Sequence, residues 1–207
     1  MGLYPDVQRK AQEEIDRILG PNKIPSYVDR KNLPYIDALV KETLRWHPIA
    51  PMGIPHMCTQ DDIYEGYRIP KGSLIMPNIW AFTHDPKVYP DPMTFKPERF
   101  LATEDHTPQP DPHALSFGFG RRICPGKLLA DNTIFLSIAQ SLAVFNFSKE
   151  DLMEPEFLPG VVSHPAPYTL SVSPRSEAHE ALIRSIETEF PWEESNAKEI
   201  EAIEYLE

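Results

Sequence analysis

Apolar residues recur at helical spacing near the start of the chain. Val7, Ala11, Ile15, Ile18 and Leu19 share one face, with Pro5 before them and Gly20 after, which predicts a first helix. A second is expected from about Pro34 to Trp46: Ile36, Leu39, Val40, Thr43 and Leu44 form its less polar arc, and Pro48 stops it. Between Ile49 and Asn78 the period shortens. DDIYEGYRIPKGSLIMPN holds short β-branched and aromatic runs broken at Glu65-Gly66 and Pro70-Lys71-Gly72, the pattern of a small hairpin sheet. A short helix is expected around Ile79 to His84. Asp85 to Ser116 is rich in proline and weak in periodicity; such long irregular stretches inside a domain are uncommon and often functional. From near Gly126 to about Phe145 the residues are apolar nearly all round, which predicts a buried helix. Pro155 to Val172 reads as a strand pair with Gly160-Val161-Val162 at its tip. A tail from Ser176 is expected to be helical in its first half and disordered in its last stretch.

Composition narrows the function. A chain of 207 residues holds one or two domains and can bury a real core. Its 23 prolines, about twice the usual ~5% share, beside only 9 glycines point to stiff connections. Two cysteines, Cys58 and Cys124, do not make a disulfide scaffold. The net charge of -11 argues against a nucleic-acid partner, because phosphate binding needs a basic surface. That charge is uneven: residues 176–207 hold ten acidic and two basic residues. No secretory signal opens the chain. Ile134 to Phe147, interrupted by Ser137, Gln140 and Ser141, falls short of the ~18 apolar residues of a membrane helix, so the chain as given reads as soluble.

The chemistry concentrates in FGFGRRICPG, Phe117 to Gly126. Gly118 and Gly120 permit positive φ and let backbone approach something flat and large. Cys124 sits just before a helix start, where backbone amides and the neighbouring Arg121 and Arg122 favour a thiolate. Pro125 suits a first helical turn. A buried structural cysteine in a turn is the plain alternative. Zinc is disfavoured, since no second cysteine or paired histidine lies at metal spacing. A nucleophilic cysteine stays open, because sequence distance does not exclude a base in space. A single thiolate as axial ligand of a haem iron needs no second protein ligand.

Phe117-x-x-Gly120-x-Arg122-x-Cys124-x-Gly126 resembles the haem-binding signature of the cytochrome P-450 monooxygenases. KETLR, with Glu42 and Arg45, resembles the family's Glu-x-x-Arg helix motif, and KPERF, Lys96 to Phe100, its Pro-Glu-Arg-Phe segment. All three stand in family order. The resemblance covers about residues 3–174. It implies a mostly α fold with a small β-sheet (α+β), the C-terminal haem-binding part of that fold over residues 1–174, with 175–207 as an acidic tail. Cys124 would ligate haem iron, its thiolate pushing electron density toward O–O cleavage. Phe117, Gly118, Gly120 and Gly126 would shape the loop, and Arg122 and His56 would reach the propionates. Met57 stands where many relatives have arginine, and Cys58 has no motif around it.

Periodicity alone makes Glu42 and Arg45 a solvated i,i+3 pair opposite the apolar arc. The resemblance implies instead a buried network with Arg99 that anchors the cysteine loop against the helix. It also implies that Met52, Ile54, Val161 and Val162 line an apolar substrate cavity, against a plain reading as core. An NADPH-dependent reductase would supply electrons to a full-length relative on the cytosolic face of the endoplasmic reticulum membrane. YEGYRIPKGS and NIWAFTHDP look most like fungal microsomal-type members. The N-terminal anchor and the oxygen-activating helix of a typical member have no counterpart here, so a truncated chain is expected. The rivals are a non-catalytic fragment that holds no haem productively and an interaction module built on the acidic tail.

Overall fold

The computed structural model describes residues 1–149 and 156–191. Pro155 and the last stretch of the tail, both named above, lie outside the described residues. Six α-helices occur among those described: α1 (Pro5–Leu19), α2 (Pro34–Trp46), α3 (Ile79–Thr83), α4 (His113–Ser116), α5 (Lys127–Val144) and α6 (Glu177–Glu189). The strands are short: β1 (His56–Met57), β2 (Asp62–Tyr64), β3 (Tyr67–Ile69), β4 (Leu74–Ile75), β5 (Phe145–Ser148), β6 (Phe157–Leu158), β7 (His164–Pro165) and β8 (Ser171–Pro174). The architecture is mostly α with small antiparallel sheets, as the sequence predicts.

The core joins α1, α2 and the C-terminal half of α5. Ala11 and Ile15 meet Ile36, Leu39 and Val40, and Phe135, Ala139 and Leu142 close the third side. Both first helices begin at proline, which loses nothing there because the first helical amides have no intrahelical partner. Helix α2 has no cap from its own N-terminal flank. The buried carboxylate of Glu14, on α1, takes that role and accepts from the amides of Tyr35 at 2.9 Å and Ile36 at 3.1 Å. A side-chain cap is worth about 0.5–2 kcal/mol, so α1 stabilises α2 beyond their shared apolar area.

The sheets depart from expectation in one place. β2 and β3 form the predicted hairpin, with Glu65 and Gly66 both at positive φ, 49° and 83°. That geometry matches the twist of the flanking strands. β1 pairs with β4 beside it. The strand pair expected to run as far as Val172 is shorter: β6 pairs with β7, while Val172 lies in β8 and pairs with Phe147 of β5. A four-residue strand continuing directly from α5 offers β8 a longer ladder than the hairpin does.

Helix α5 corrects a second expectation. It is not buried all round. Phe135, Ala139 and Leu142 are buried, but Leu128 and Leu129 are 68% and 74% exposed. Composition alone reports that a helix has no polar face; it cannot report that Leu128 and Leu129 in its first turn meet no covering element. Helix α6 packs back on α5 through the half-buried Leu182 and Ile183, and Arg175 just before it bonds Asp16 at 2.9 Å and the Ala143 carbonyl at 2.9 Å.

Candidate haem-thiolate site

The loop Phe117 to Gly126 runs from α4 to α5 and is closed by its own backbone. The Cys124 amide donates to the Phe117 carbonyl at 2.8 Å, and the Lys127 amide donates to the Cys124 carbonyl at 3.2 Å. Gly118 and Gly120 sit at φ of 79° and 57°, which lets the chain reverse within so few residues. Residues 120–122 make a single tight turn. Cys124 is a free, exposed thiol at the N-terminal end of the 18-residue α5. A Cβ at Gly126 would stand 3.8 Å from its sulfur.

The loop and the residues just after it carry exposed apolar side chains that a flat apolar group could cover. Phe119, Ile123, Leu128 and Leu129 are all exposed around the loop, in positions where isolated surface residues would more often be polar. Two glycines remove Cβ atoms from the loop itself. Among the described residues no three His, Cys, Asp or Glu side chains gather as a metal-holding group, and Cys124 is a single thiol. That donor set suits haem iron bound through cysteine.

Other expected site residues fall on separate elements. His56 lies on β1 opposite Ile75 and is exposed. Arg122 is exposed in the loop's tight turn, and neither it nor Arg121 pairs with an acidic group among the described residues. The Cys58 thiol bonds the Gln60 carbonyl at 3.0 Å and joins no disulfide. Met52, Ile54, Val161 and Val162 are all exposed and lie outside the buried core of the described residues. The structure brings their two segments together: the Ser163 amide donates to the Ile49 carbonyl at 2.7 Å, and His47 Nε2 lies 2.9 Å from Ser163 Oγ. The His47 ring also stacks on Phe157, centroids 3.4 Å apart. Burial pulls the His47 pKa down.

Gly53 stands between Met52 and Ile54 at φ of 60°, and a Cβ there would lie 2.4 Å from Pro77 Cγ. Sequence reading missed it, although a glycine between two apolar side chains was a visible signal. It missed His47 and Ser163 because nothing local marks a pair 116 residues apart.

Glu42, Arg45 and Arg99 form a buried network, at 0%, 0% and 2% exposure. The solvated reading of the Glu42–Arg45 pair is therefore corrected. Arg45 grips Glu42 twice, at 2.7 and 2.9 Å, and bonds the Thr83 carbonyl at 3.0 Å. Arg99 Nε reaches Glu42 at 3.2 Å, and the Lys96 amide adds a bond at 2.7 Å. The helical wheel failed because the covering residues come from Thr83 and the proline-rich stretch, 38 to 57 positions away.

The network's hydrogen bonds run to Thr83 and to the proline-rich stretch. Arg99 bonds the carbonyls of Pro90 and Thr94 and the side chain of Gln109, and the Gln109 amide returns a bond to the Arg99 carbonyl at 2.8 Å. One guanidinium thus organises residues 90–109, where periodicity shows nothing. Forked donors satisfy several carbonyls at once, which is how an irregular stretch stays ordered inside a domain.

A family comparison agrees with this geometry. The chain matches the family Cytochrome P450 over residues 1–172, and it belongs to that family. It is 54% identical over 202 residues to an O-methylsterigmatocystin oxidoreductase of Aspergillus flavus, covering 97% of this chain and 38% of that protein. Similarity also extends to the cytochrome P450 monooxygenase claR of Ampulloclitocybe clavipes, 56% identical over 90% of this chain and 36% of the relative. The cytochrome P450 monooxygenase ppsD of Aspergillus oryzae is 50% identical over 96% of this chain and 39% of the relative. The chain thus spans less than two fifths of the length of each. Among the described residues no helix is long and apolar enough to cross a membrane.

Proposed function

We propose that this chain supplies the thiolate side of a haem-thiolate monooxygenase, with Cys124 as the iron's protein ligand. The observation that carries the reading is the exposed Cys124 on a glycine-relieved loop, with exposed Phe119, Ile123, Leu128 and Leu129 within five positions of it along the chain. Haem, when bound, supplies the oxygen and electron chemistry. This chain's residues do the rest. Cys124 would supply the sulfur, the Phe117 carbonyl holds the Cys124 amide, and the exposed apolar residues Phe119, Ile123, Leu128 and Leu129 would be available to pack on the group. Arg122 and His56, exposed and free to turn, would donate to the propionates.

Met52 and Ile54, tied to the Val161–Val162 loop through Ser163 and Ile49, would present one apolar wall to an organic substrate. The other wall would come from residues outside these 207, which span 38% of the length of the Aspergillus flavus relative. Electrons would come from an NADPH-dependent reductase, one oxygen atom of O2 entering the substrate and the other leaving as water.

The test is a carbon monoxide difference spectrum of the reduced chain expressed with haem supplied. A thiolate-type Soret band that is lost in Cys124→Ala and kept in Cys58→Ser supports the assignment. Haem uptake that ignores Cys124, or no uptake by the chain, overturns it for this protein.

A further inference from the structure

A histidine outside the expected site straddles the base of the cysteine loop. His113 opens α4, four residues before Phe117. Its Nδ1 lies 2.6 Å from Asp111 Oδ1 and its Nε2 lies 2.8 Å from Asp131 Oδ1, on α5. An ionised carboxylate only accepts. Each ring nitrogen facing one must carry a proton, and a neutral imidazole has a single N–H. Both bonds form together only with the imidazolium.

The geometry points to His113, in its protonated form, as a clasp that closes the base of the cysteine loop and so positions Cys124. The bond to Asp131 ties the segment entering the loop to the helix leaving it. The His113 ring stacks on Phe117, centroids 5.8 Å apart and 19° between planes, and the Phe117 carbonyl holds the Cys124 amide at 2.8 Å. Lys127 closes the same ring of contacts, bonding the His113 carbonyl at 3.3 Å with its ammonium 5.7 Å from the Phe117 centroid.

The surrounding charges support a cation. Asp131 is also held in a two-pronged pair by Arg30, at 2.7 and 3.0 Å. Arg30 continues to Asp37 of α2, and Lys41 of α2 reaches Asp37 and, at 3.8 Å, Asp111. Asp37, Asp111 and Asp131 thus balance Arg30, Lys41 and the imidazolium, with Lys127 beside them on a carbonyl. Losing the proton leaves a ring lone pair against a carboxylate and a surplus negative charge. Burial alone would lower the His113 pKa, but the bonds and charges of Asp111 and Asp131 outweigh it and raise it. That the positioned sulfur is an iron ligand rests on the haem-thiolate reading; the clasp is read on the loop's backbone, so either can fail alone.

The test is amide hydrogen exchange on the full 207-residue chain, followed from below the ordinary imidazole value of about 6.5 upward. Protection of the Cys124 amide should fall roughly tenfold as the ring titrates, the scale of one lost charge-assisted bond, with the ring's own NMR titration inflecting at the same pH. The buried Ala139 amide should not follow. In His113→Gln, Cys124 protection should be low at every pH, and in His113→Arg, a permanent forked cation, high without a step. A wild-type Cys124 amide that ignores the ring titration overturns the clasp. So does His113→Gln with unchanged Cys124 protection. If His113→Gln loses Ala139 protection as well, the wild-type titration and His113→Arg decide.

Discussion

His47 Nε2 lies 2.9 Å from Ser163 Oγ, a bond that joins the end of α2 to a loop 116 residues later. Phe157, stacked on the His47 ring, seals the joint. The two apolar segments proposed to face substrate, 49–54 and 160–163, are therefore tied together. A neutral hydrogen bond of this kind contributes about 1 kcal/mol. Ser163→Ala and His47→Ala should each destabilise the chain, and the double variant should cost less than their sum. A double-mutant cycle by urea unfolding measures the coupling. Additive losses would remove the joint from the account.

Acid should test the same histidine. Burial holds the His47 pKa below its ordinary value, so the unfolded chain takes up this proton more readily than the folded one. Stability from this site is full above the unfolded value of about 6.5 and falls as pH drops below it. Between about pH 5 and about pH 8 the difference in urea midpoint between wild type and His47→Phe should shrink as pH falls, which separates His47 from His84 and His113 titrating in the same range. Asp111 acts at lower pH. Burial would raise it, but the side chain and amide of His113 outweigh that and hold it down to about 2. Its contribution is present above the unfolded carboxylate value and is lost as pH falls toward about 2, a loss that Asp111→Asn should abolish.

Glu42 faces two arginines in a site closed to water. Glu42→Ala leaves both cations buried without their carboxylate, which costs about 3–5 kcal/mol. Arg99→Lys keeps the charge but not the fork, and an ammonium cannot span the carbonyls of Pro90 and Thr94 and the side chain of Gln109. Limited proteolysis of Arg99→Lys should open new cuts within residues 90–109 before any elsewhere. Cleavage first at the cysteine loop would show that the network anchors that loop.

Gly53 tolerates no side chain. At φ of 60°, with Pro77 Cγ 2.4 Å from where a Cβ would stand, Gly53→Ala must shift backbone or proline. The expected loss exceeds the roughly 1–3 kcal/mol of left-handed backbone strain alone. Gly72, at φ of 87° in open space, is the control, and Gly72→Ala should lose only the conformational part. Equal melting temperatures for the two variants would show that the contact with Pro77 relaxes freely.

Much of this was legible in the linear chain, and the boundary is physical. The helices at Pro5–Leu19 and Pro34–Trp46 follow from apolar spacing and prolines, both local signals. The hairpin at Glu65-Gly66 follows from turn chemistry. Cys124 stands out because its neighbours within ten positions are unusual. Periodicity misplaced Glu42 and Arg45, since a wheel assumes that whatever is not apolar faces water. It overstated the burial of Leu128 and Leu129, since an apolar residue is buried only where something packs on it.

The sequence by itself determined the longer helices, the hairpin at Glu65-Gly66, the loop that carries Cys124 and the family's three motifs, because each is written in residues close along the chain. Tertiary structure decided which charges are buried, which apolar residues stay open, and that His113 meets Asp131 beneath the cysteine loop. Those outcomes depend on partners from eighteen to more than a hundred positions away, and a side chain's energy is set by what surrounds it in space.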